Sequence, residues 1–362
     1  MPIYMDRHDV AEEVTAEIVA EIHQEDLRIQ HKYCCRGITY WYDDGRKTAF
    51  CLVEAPNKEA IIEMHAKAHG EVPNTIIEVD DTIVESFLGR IEDPKKSQKR
   101  ELNIVNNPAF RILMVLKITQ HNLQNAPANL SKLTLETIGT LVDLYEGRIV
   151  KQTETDLLIS YDTTTKAIHS ALAIKELLDT SLAITVQSHM GLSAGLPVTK
   201  EHGLFEETIN TAERLSDISK NRILITSEIQ DLYESENLNH PIDKNVIRTI
   251  RLSDAHFLND VMNHLEKEWR NPTLGVADFC AHLGLSTSQL YRKMTTVIYK
   301  SINVLVQDFR LQKALELVQR SDRNISEIAF DTGFNSAAYF TKCFQKKYDI
   351  TPSAYRKNYK PL

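Results

Sequence analysis

No segment of this chain approaches the run of about 18 apolar residues that a membrane helix needs. The opening MPIYMDRHDV lacks the basic region and apolar core of a secretory signal. Neither a membrane partner nor export is therefore expected. Cysteine is scarce: Cys34, Cys35, Cys51, Cys280 and Cys343 are odd in number and scattered. That pattern excludes a disulfide framework and predicts reduced thiols in a cytoplasmic protein. Low-complexity tracts are missing too. An overall positive charge is absent, since the formal net charge is −8, which argues against generic nucleic-acid affinity. The sign is uneven, however. Residues 254–362 carry 15 Lys and Arg against 11 Asp and Glu. An acidic body with a mildly basic tail fits a nucleic-acid contact confined to one end.

What is present is a chain of 362 residues, 42% hydrophobic and 25% charged, enough for two or three globular domains. Two polar stretches, 92–108 (EDPKKSQKRELNIVNNP) and 234–254 (ESENLNHPIDKNVIRTIRLSD), divide it. The expected domains are 1–94, 109–235 and 254–362, with linkers at 95–108 and 236–253. In the first, residues 2–7, 37–42, 48–54 and 75–79 read as strands, and 16–30 and 58–69 as helices. Asp43-Asp44-Gly45 marks a hairpin turn. This βαββαβ order is that of a ferredoxin-like fold. The second segment has a similar rhythm, and the third is helical almost throughout. The expected fold class is multidomain α+β: two ferredoxin-like α/β sandwich domains, then an all-α double helix-turn-helix domain.

The tail holds the most informative pattern. VADFCAHLGLSTSQLYRKM (276–294) and ISEIAFDTGFNSAAYFTKC (325–343) align without a gap. Gly284 then coincides with Gly333, Leu285 with Phe334, Leu290 with Tyr339 and Lys293 with Lys342. A helix-turn-helix presents its second helix to the major groove. Leu290 and Met294 are expected inward in the first unit, and Phe334, Tyr339, Phe340 and Phe344 in the second. Thr287, Ser288, Gln289, Arg292 and Lys293 then face outward, as do Asn335, Ser336, Ala337, Thr341, Lys342 and Gln345. Such groups reach base edges and phosphates. Arg310, on the helix joining the units, is expected to meet a phosphate. Residues 255–357, with RLQKALELV, ISEIAFDTGF, YFTKCFQKKY and TPSAYR, resemble the AraC/XylS-type DNA-binding domain. The resemblance implies a transcriptional regulator with two recognition helices roughly 34 Å, one DNA turn, apart. Double-stranded DNA is its implied partner, with RNA polymerase a candidate second one.

The first segment contains His8, His23, His31, His65 and His69. His65 and His69, four apart on an expected helix, share a face and could chelate a divalent transition metal. MPIYMDRHDV, HQEDLRIQHKYCCRGITYWY, AFCLVEAPNKEAIIEMHAKAHG and VESFLGRIEDP are similar to a family of small nickel-binding, ferredoxin-like proteins. That similarity implies metal binding and association through the sheet. His8, His31, His65 and His69 are the expected ligands, for nickel, with zinc or copper equally compatible.

YEGRIVKQTETDLLISYD, AIHSALAIKELL, HMGLSAGLPV and LFEETINTAERLSDISKNRILITSEIQDLY resemble a class III nucleotide cyclase homology domain. Such cyclases hold two metals on two aspartates. Lys117 and Thr155 stand at those positions here, with Asp156 one residue off, on the other face of its strand. Asn210 and Arg214 match the family's transition-state asparagine and arginine. The pattern implies a degenerate domain without catalysis, serving as a dimerisation scaffold or binding a ligand near Asn210 and Arg214. The expected protein is a sequence-specific regulator, not an enzyme. Its upstream domains sense a metal or small molecule, and both look built to pair, so a homodimer is expected. The alternatives are a metal storage or delivery protein with an accessory DNA-binding tail, and an active nucleotide cyclase.

Overall fold

We describe the chain from a computed structural model, at residues 1–94, 102–120, 132–153, 155–181, 186–199, 203–219, 221–238 and 240–359. The first domain runs β1 (Ile3–Asp9), α1 (Ala16–Ile29), β2 (Arg36–Asp43), β3 (Thr48–Glu54), α2 (Lys58–Ala68), β4 (Thr75–Val79) and α3 (Asp81–Leu88). Its antiparallel sheet has the order β2-β3-β1-β4, which is the ferredoxin-like arrangement. Side-chain oxygens start the helices. Thr15 accepts from the Ile18 N–H, Asn57 from Ala60, and Asp80 from Thr82 and Ile83.

The second domain runs β5 (Arg111–Gln120), α4 (Lys132–Leu144), β6 (Arg148–Gln152), β7 (Asp156–Tyr161), α5 (Thr164–Ser181), β8 (Val186–Gly195), α6 (Glu206–Asp217), β9 (Ile223–Thr226), α7 (Ser227–Glu236) and β10 (Ile247–Ile250). The strand order is β10-β9-β8-β5-β7-β6. The four strands β6-β7-β5-β8 repeat the ferredoxin-like order, and β9 and β10 extend the sheet in parallel beyond β8. Residues 247–250, expected in a linker, are therefore a strand. The other linker also docks. Val105 is buried beside Tyr40 and Tyr42, and the Tyr40 hydroxyl donates to the Asn103 carbonyl and accepts from the Val105 N–H, each at 2.9 Å.

The third domain is helical: α8 (Leu252–Glu268), α9 (Val276–Leu283), α10 (Thr287–Lys293), α11 (Ile302–Arg320), α12 (Ile325–Asp331), α13 (Ala337–Tyr348) and α14 (Pro352–Tyr359).

Alternation along the strands decides how the domains meet. On β5, Ile112, Met114, Leu116 and Ile118 join the core under α4, α5 and α7, while Leu113 points to the opposite face. That opposite face is covered by the first domain. Met5, Trp41, Phe50, Leu52 and Ile77 of the first sheet, with Val84, Phe87 and Leu88 of α3, form one core with Leu113, Val198 and Phe205. Each large apolar side chain so buried contributes about 1.5–3 kcal/mol. The first sheet face, expected to pair with a second copy, is thus used inside the chain. The third domain is fused to the second in the same way. Leu215, Ile218, Leu224 and Ile250 share a core with Leu258, Val261, Leu265 and Phe279.

Candidate functional site

The other face of the first sheet carries a buried polar layer beneath α1 and α2. β1 alternates, so Asp6 and His8 point to this face with Tyr4 while Met5 points away. The stripe of α1 that packs inward is Val19, His23 and Asp26, at helical spacing. His65 comes from α2, and His69 caps its end. His65 Nε2 lies 3.1 Å from Asp6 Oδ2, and its Nδ1 lies 3.0 Å from Asp26 Oδ1 and 3.1 Å from His69 Nε2. His69 Nε2 is 3.2 Å from Asp26 Oδ1, and His8 Nε2 is 3.4 Å from Asp6 Oδ1. Two groups of potential ligands result, Asp6 with His8 and Cys51, and Asp26 with His65 and His69. Within each, the ligand atoms lie within 4.8 Å of one another.

In this layer burial and charge pairing act against each other. Burial opposes a charged His65, but its hydrogen bonds to Asp26 and Asp6 push its pKa up to about 10. Burial would raise the Asp6 carboxyl, yet His8 and His65 hold it well below the usual range. Asp26 is likewise held down against burial by His65 and His69. Burial, then the nearby Asp6, push the Cys51 thiol far up. The buried His8 Nε2 makes no well-formed hydrogen bond among the described residues, its one polar neighbour being Asp6 Oδ1 at 3.4 Å. Imidazole, carboxylate and thiol donors gathered around a loosely held ring nitrogen fit a borderline transition metal. His8, His65 and His69 are brought together as expected. His31 is not: it lies exposed in the turn Gln30–Tyr33. Asp6, Asp26 and Cys51 join them without having stood out as ligands in the sequence. The readable signal was a carboxylate inside an apolar stripe, at Asp26, and another at the centre of a buried strand, at Asp6.

In the third domain the helix starts are fixed by caps. Ser286 and Gln289 form a reciprocal capping box at α10, Asn324 and Glu327 another at α12, and Ser336 caps α13. Leu290 and Met294 are buried in the first unit, and Phe340 and Phe344 in the second. Tyr339, expected in the core, is 55% exposed. The reason is one additional residue, Asn335, between the turn glycine and the cap serine of the second unit. The gapless alignment therefore drifts by one residue along α13, and Leu290 corresponds to Phe340 and Arg292 to Lys342. Thr287, Ser288, Gln289, Arg292, Asn335, Ser336, Lys342 and Gln345 are exposed, and Lys293, Ala337 and Thr341 half-buried. Lys293 stands over the Phe257 ring, 4.9 Å from its centre.

Arg310 is not on the outer face. It is 9% exposed, and its Nε and Nη2 donate to the carbonyls of Trp269 and Asn271 at 2.8 and 2.6 Å. It ties the connecting helix α11 to the segment at the end of α8, and its donors are committed there.

The middle-domain positions are also engaged. Lys117 Nζ bonds Asp217 Oδ1 of α6 at 2.6 Å. Asp156 pairs opposite Lys117 in the sheet, and Glu154 lies outside the described residues. Arg214 is buried and turned toward α8, where Asn259 Oδ1 accepts at 2.9 Å and Asn263 Oδ1 at 2.6 Å. Asn210 sits one turn earlier on α6 and is half-buried.

Two family models match the chain. Residues 4–79 match the nickel responsive protein SCO4226-like family, and residues 279–358 match a helix-turn-helix domain. Histidine kinase P4 of Formosa agariphila is 31% identical over 146 residues, 40% of this chain and 10% of that protein. The HTH-type transcriptional regulator MtrA of Neisseria gonorrhoeae is 29% identical over 103 residues, 28% of this chain and 33% of that protein. The chain thus spans a third or less of the length of these two curated relatives. The crystal structure of SCO4226 from Streptomyces coelicolor A3(2) superposes with a TM-score of 0.21 at 30% identity, covering 21% of this chain and 94% of that one. Among the described residues no helix is long and apolar enough to cross a membrane. The chain carries a domain of the nickel responsive SCO4226-like family at one end and an AraC-type helix-turn-helix domain at the other.

Proposed function

We propose that this protein is a cytoplasmic, sequence-specific transcriptional regulator whose DNA binding responds to a divalent transition metal held in its first domain. The observation that carries the reading is the buried layer of Asp6, His8, Cys51, Asp26, His65 and His69, in one chain with two capped, outward-facing recognition helices. Nickel fits the donor set, as do zinc and copper. The metal would be held by members of this layer and would replace the proton on His65 as the charge between Asp6 and Asp26. The outward residues of α10 and α13 are the proposed DNA contacts, and RNA polymerase is the proposed second partner. Free thiols at all five cysteines suit a reducing compartment. The proposed homodimer has to use surfaces other than the two sheet faces that cover each other.

We propose no nucleotide-cyclising activity for the middle domain. Its Lys117 would repel Mg²⁺, and the Arg214 guanidinium is committed to α8. Its role in this reading is to bridge the metal-binding domain and the DNA-binding domain, with both of which it shares a core.

The test is selection of bound sequences from a random duplex library, followed by binding titrations with and without Ni²⁺. Enrichment of a defined motif, with affinity changed by about tenfold or more on metal loading, is expected. Stoichiometric metal uptake that leaves DNA affinity unaltered would favour storage or delivery instead.

A further inference from the structure

The two helix-turn-helix units end differently. With the caps Ser286 and Ser336 aligned, Tyr299 corresponds to Asp349, and both close their helices in the left-handed conformation, with φ of +60° and +57°. The Asp349 N–H donates to the Gln345 carbonyl at 2.8 Å, an ordinary α turn. The Tyr299 N–H instead donates to the Met294 carbonyl at 2.9 Å, one residue further back, and Met294–Ile298 form a π turn. Within it the Thr295 and Thr296 hydroxyls donate to the carbonyls of Tyr291 and Arg292 at 2.8 and 2.9 Å. π turns are rare and collect at functional positions, and hydroxyl back-bonds of this kind bend a helix.

Alternation along β10 aims Arg248 at this turn. Ile247 lies in the core of the middle domain, whereas Ile250, on the same face as Arg248, lies in the core shared with the third domain. Arg248 Nη2 donates to the carbonyls of Thr296 and Val297 at 2.9 and 3.1 Å, and its guanidinium stands over the Tyr299 ring, 4.3 Å from the centre. These are among the last carbonyls of the helix, which lack an intrahelical donor. A cation from another domain thus caps the first recognition helix at its carboxyl end, where positive charge is favoured. The shared core reinforces the contact, since it joins Leu290, Met294, Val297 and Ile298 to Leu215, Ile218, Leu224 and Ile250. The second unit packs apart from it. Phe340 and Phe344 of α13 lie in a core drawn from residues 311–355. Gln307 of α11 donates to the Tyr339 hydroxyl at 3.0 Å, and Lys347 of α13 to the Asp308 carbonyl at 3.1 Å.

We infer that Arg248 is a positioning residue for DNA reading: from β10 it fixes the carboxyl end of the first recognition helix, and with it the angle at which Thr287, Ser288 and Arg292 meet the duplex. The second recognition helix takes its position from α11. A shift of the middle domain would therefore reach one half of the bound sequence and leave the other. The inference rests on α10 and α13 being the DNA contacts.

The experiment compares the full chain with its Arg248→Ala and Arg248→Lys variants in two readouts. Amide hydrogen exchange needs no DNA. In Arg248→Ala, exchange across 294–299 should quicken by about tenfold or more, with 344–349 unchanged. Arg248→Lys still donates but lacks the planar cation that stacks, and should fall between. Selection from a random duplex library reads the consequence. Arg292→Ala and Lys342→Ala assign the two halves of the wild-type motif. Arg248→Ala should then lose base discrimination by about tenfold in the Arg292 half alone, and Arg248→Lys should restore part of it. A variant that merely destabilised the domain would weaken both halves together. Unchanged exchange at 294–299, or equal loss in both halves, overturns the inference. A wild-type chain that selects no motif would overturn the DNA reading instead, and unchanged exchange would still overturn this one. Should Arg248→Ala fail to fold, Arg248→Lys carries both readouts.

Discussion

Arg214 Nη2 donates to Asn263 Oδ1 at 2.6 Å, across the boundary between the middle and the DNA-binding domains. Around that bond, Asn259 accepts from Nη1 and passes its own amide to the Thr211 hydroxyl at 3.1 Å. A guanidinium expected to serve a nucleotide instead joins two helices. Arg214→Ala should therefore lower the stability of the chain by about 1–2 kcal/mol, through loss of a buried charged donor's hydrogen bonds to half-buried Asn259 and exposed Asn263. Asn263→Ala should cost somewhat less. A double-mutant cycle in urea should show a coupling of about 1 kcal/mol; additive effects would mean that this bond does not hold the domains together.

Gly284 and Gly333 end equivalent helices with φ of +63° and +79°. Alanine at either costs about 1–2 kcal/mol for the left-handed backbone. Only at Gly333 would the new Cβ also come within 2.9 Å of the Trp269 carbonyl and the Arg310 Nε, whereas Gly284 faces open space. Gly333→Ala should thus be the more damaging by about 1–3 kcal/mol, read as a difference in denaturation midpoints.

Exposed Arg292 and Lys342 occupy the same position on their two helices once the caps are aligned. Arg292→Ala and Lys342→Ala should each weaken DNA binding, with circular dichroism unchanged. The slope of log affinity against log salt should fall by about 1 for each phosphate that is no longer neutralised. Arg310→Ala should behave differently, destabilising the domain because the Trp269 and Asn271 carbonyls lose their donor. Intact stability with abolished DNA affinity in that variant would return Arg310 to the interface.

Metal uptake should be tighter at higher pH. The His65 proton is retained up to about pH 10 in the metal-free layer, so below that pH a metal must displace it. From pH 6 to 8.5 the apparent Ni²⁺ affinity should rise, by up to about tenfold per pH unit for one released proton. Calorimetry in buffers of different ionisation enthalpy counts that proton. His65→Ala should weaken uptake strongly, and His31→Ala should leave it unchanged; the reverse order would misplace the site.

The first four strands and both early helices were legible in the sequence because periodicity and caps are local signals. β1, α1 and α2 fall within a few residues of expectation for that reason. His65 and His69 were legible as a pair because four residues are one helical turn. His31 misled because a histidine in a ligand-rich segment carries no information about which way its turn faces. Asp6 and Asp26 escaped because their value lies in His65, which is 59 and 39 residues away.

By itself, the sequence determined the element order, the capped recognition helices and the supply of ligand-type side chains, all of which follow from short-range periodicity and hydrogen bonding. Tertiary structure alone decided that Arg214 and Arg310 are fasteners and that the two sheets cover each other. It also assembled one layer from the strand, helix and turn residues. Those outcomes depend on which surfaces meet, and desolvation and charge pairing are properties of the meeting rather than of either partner.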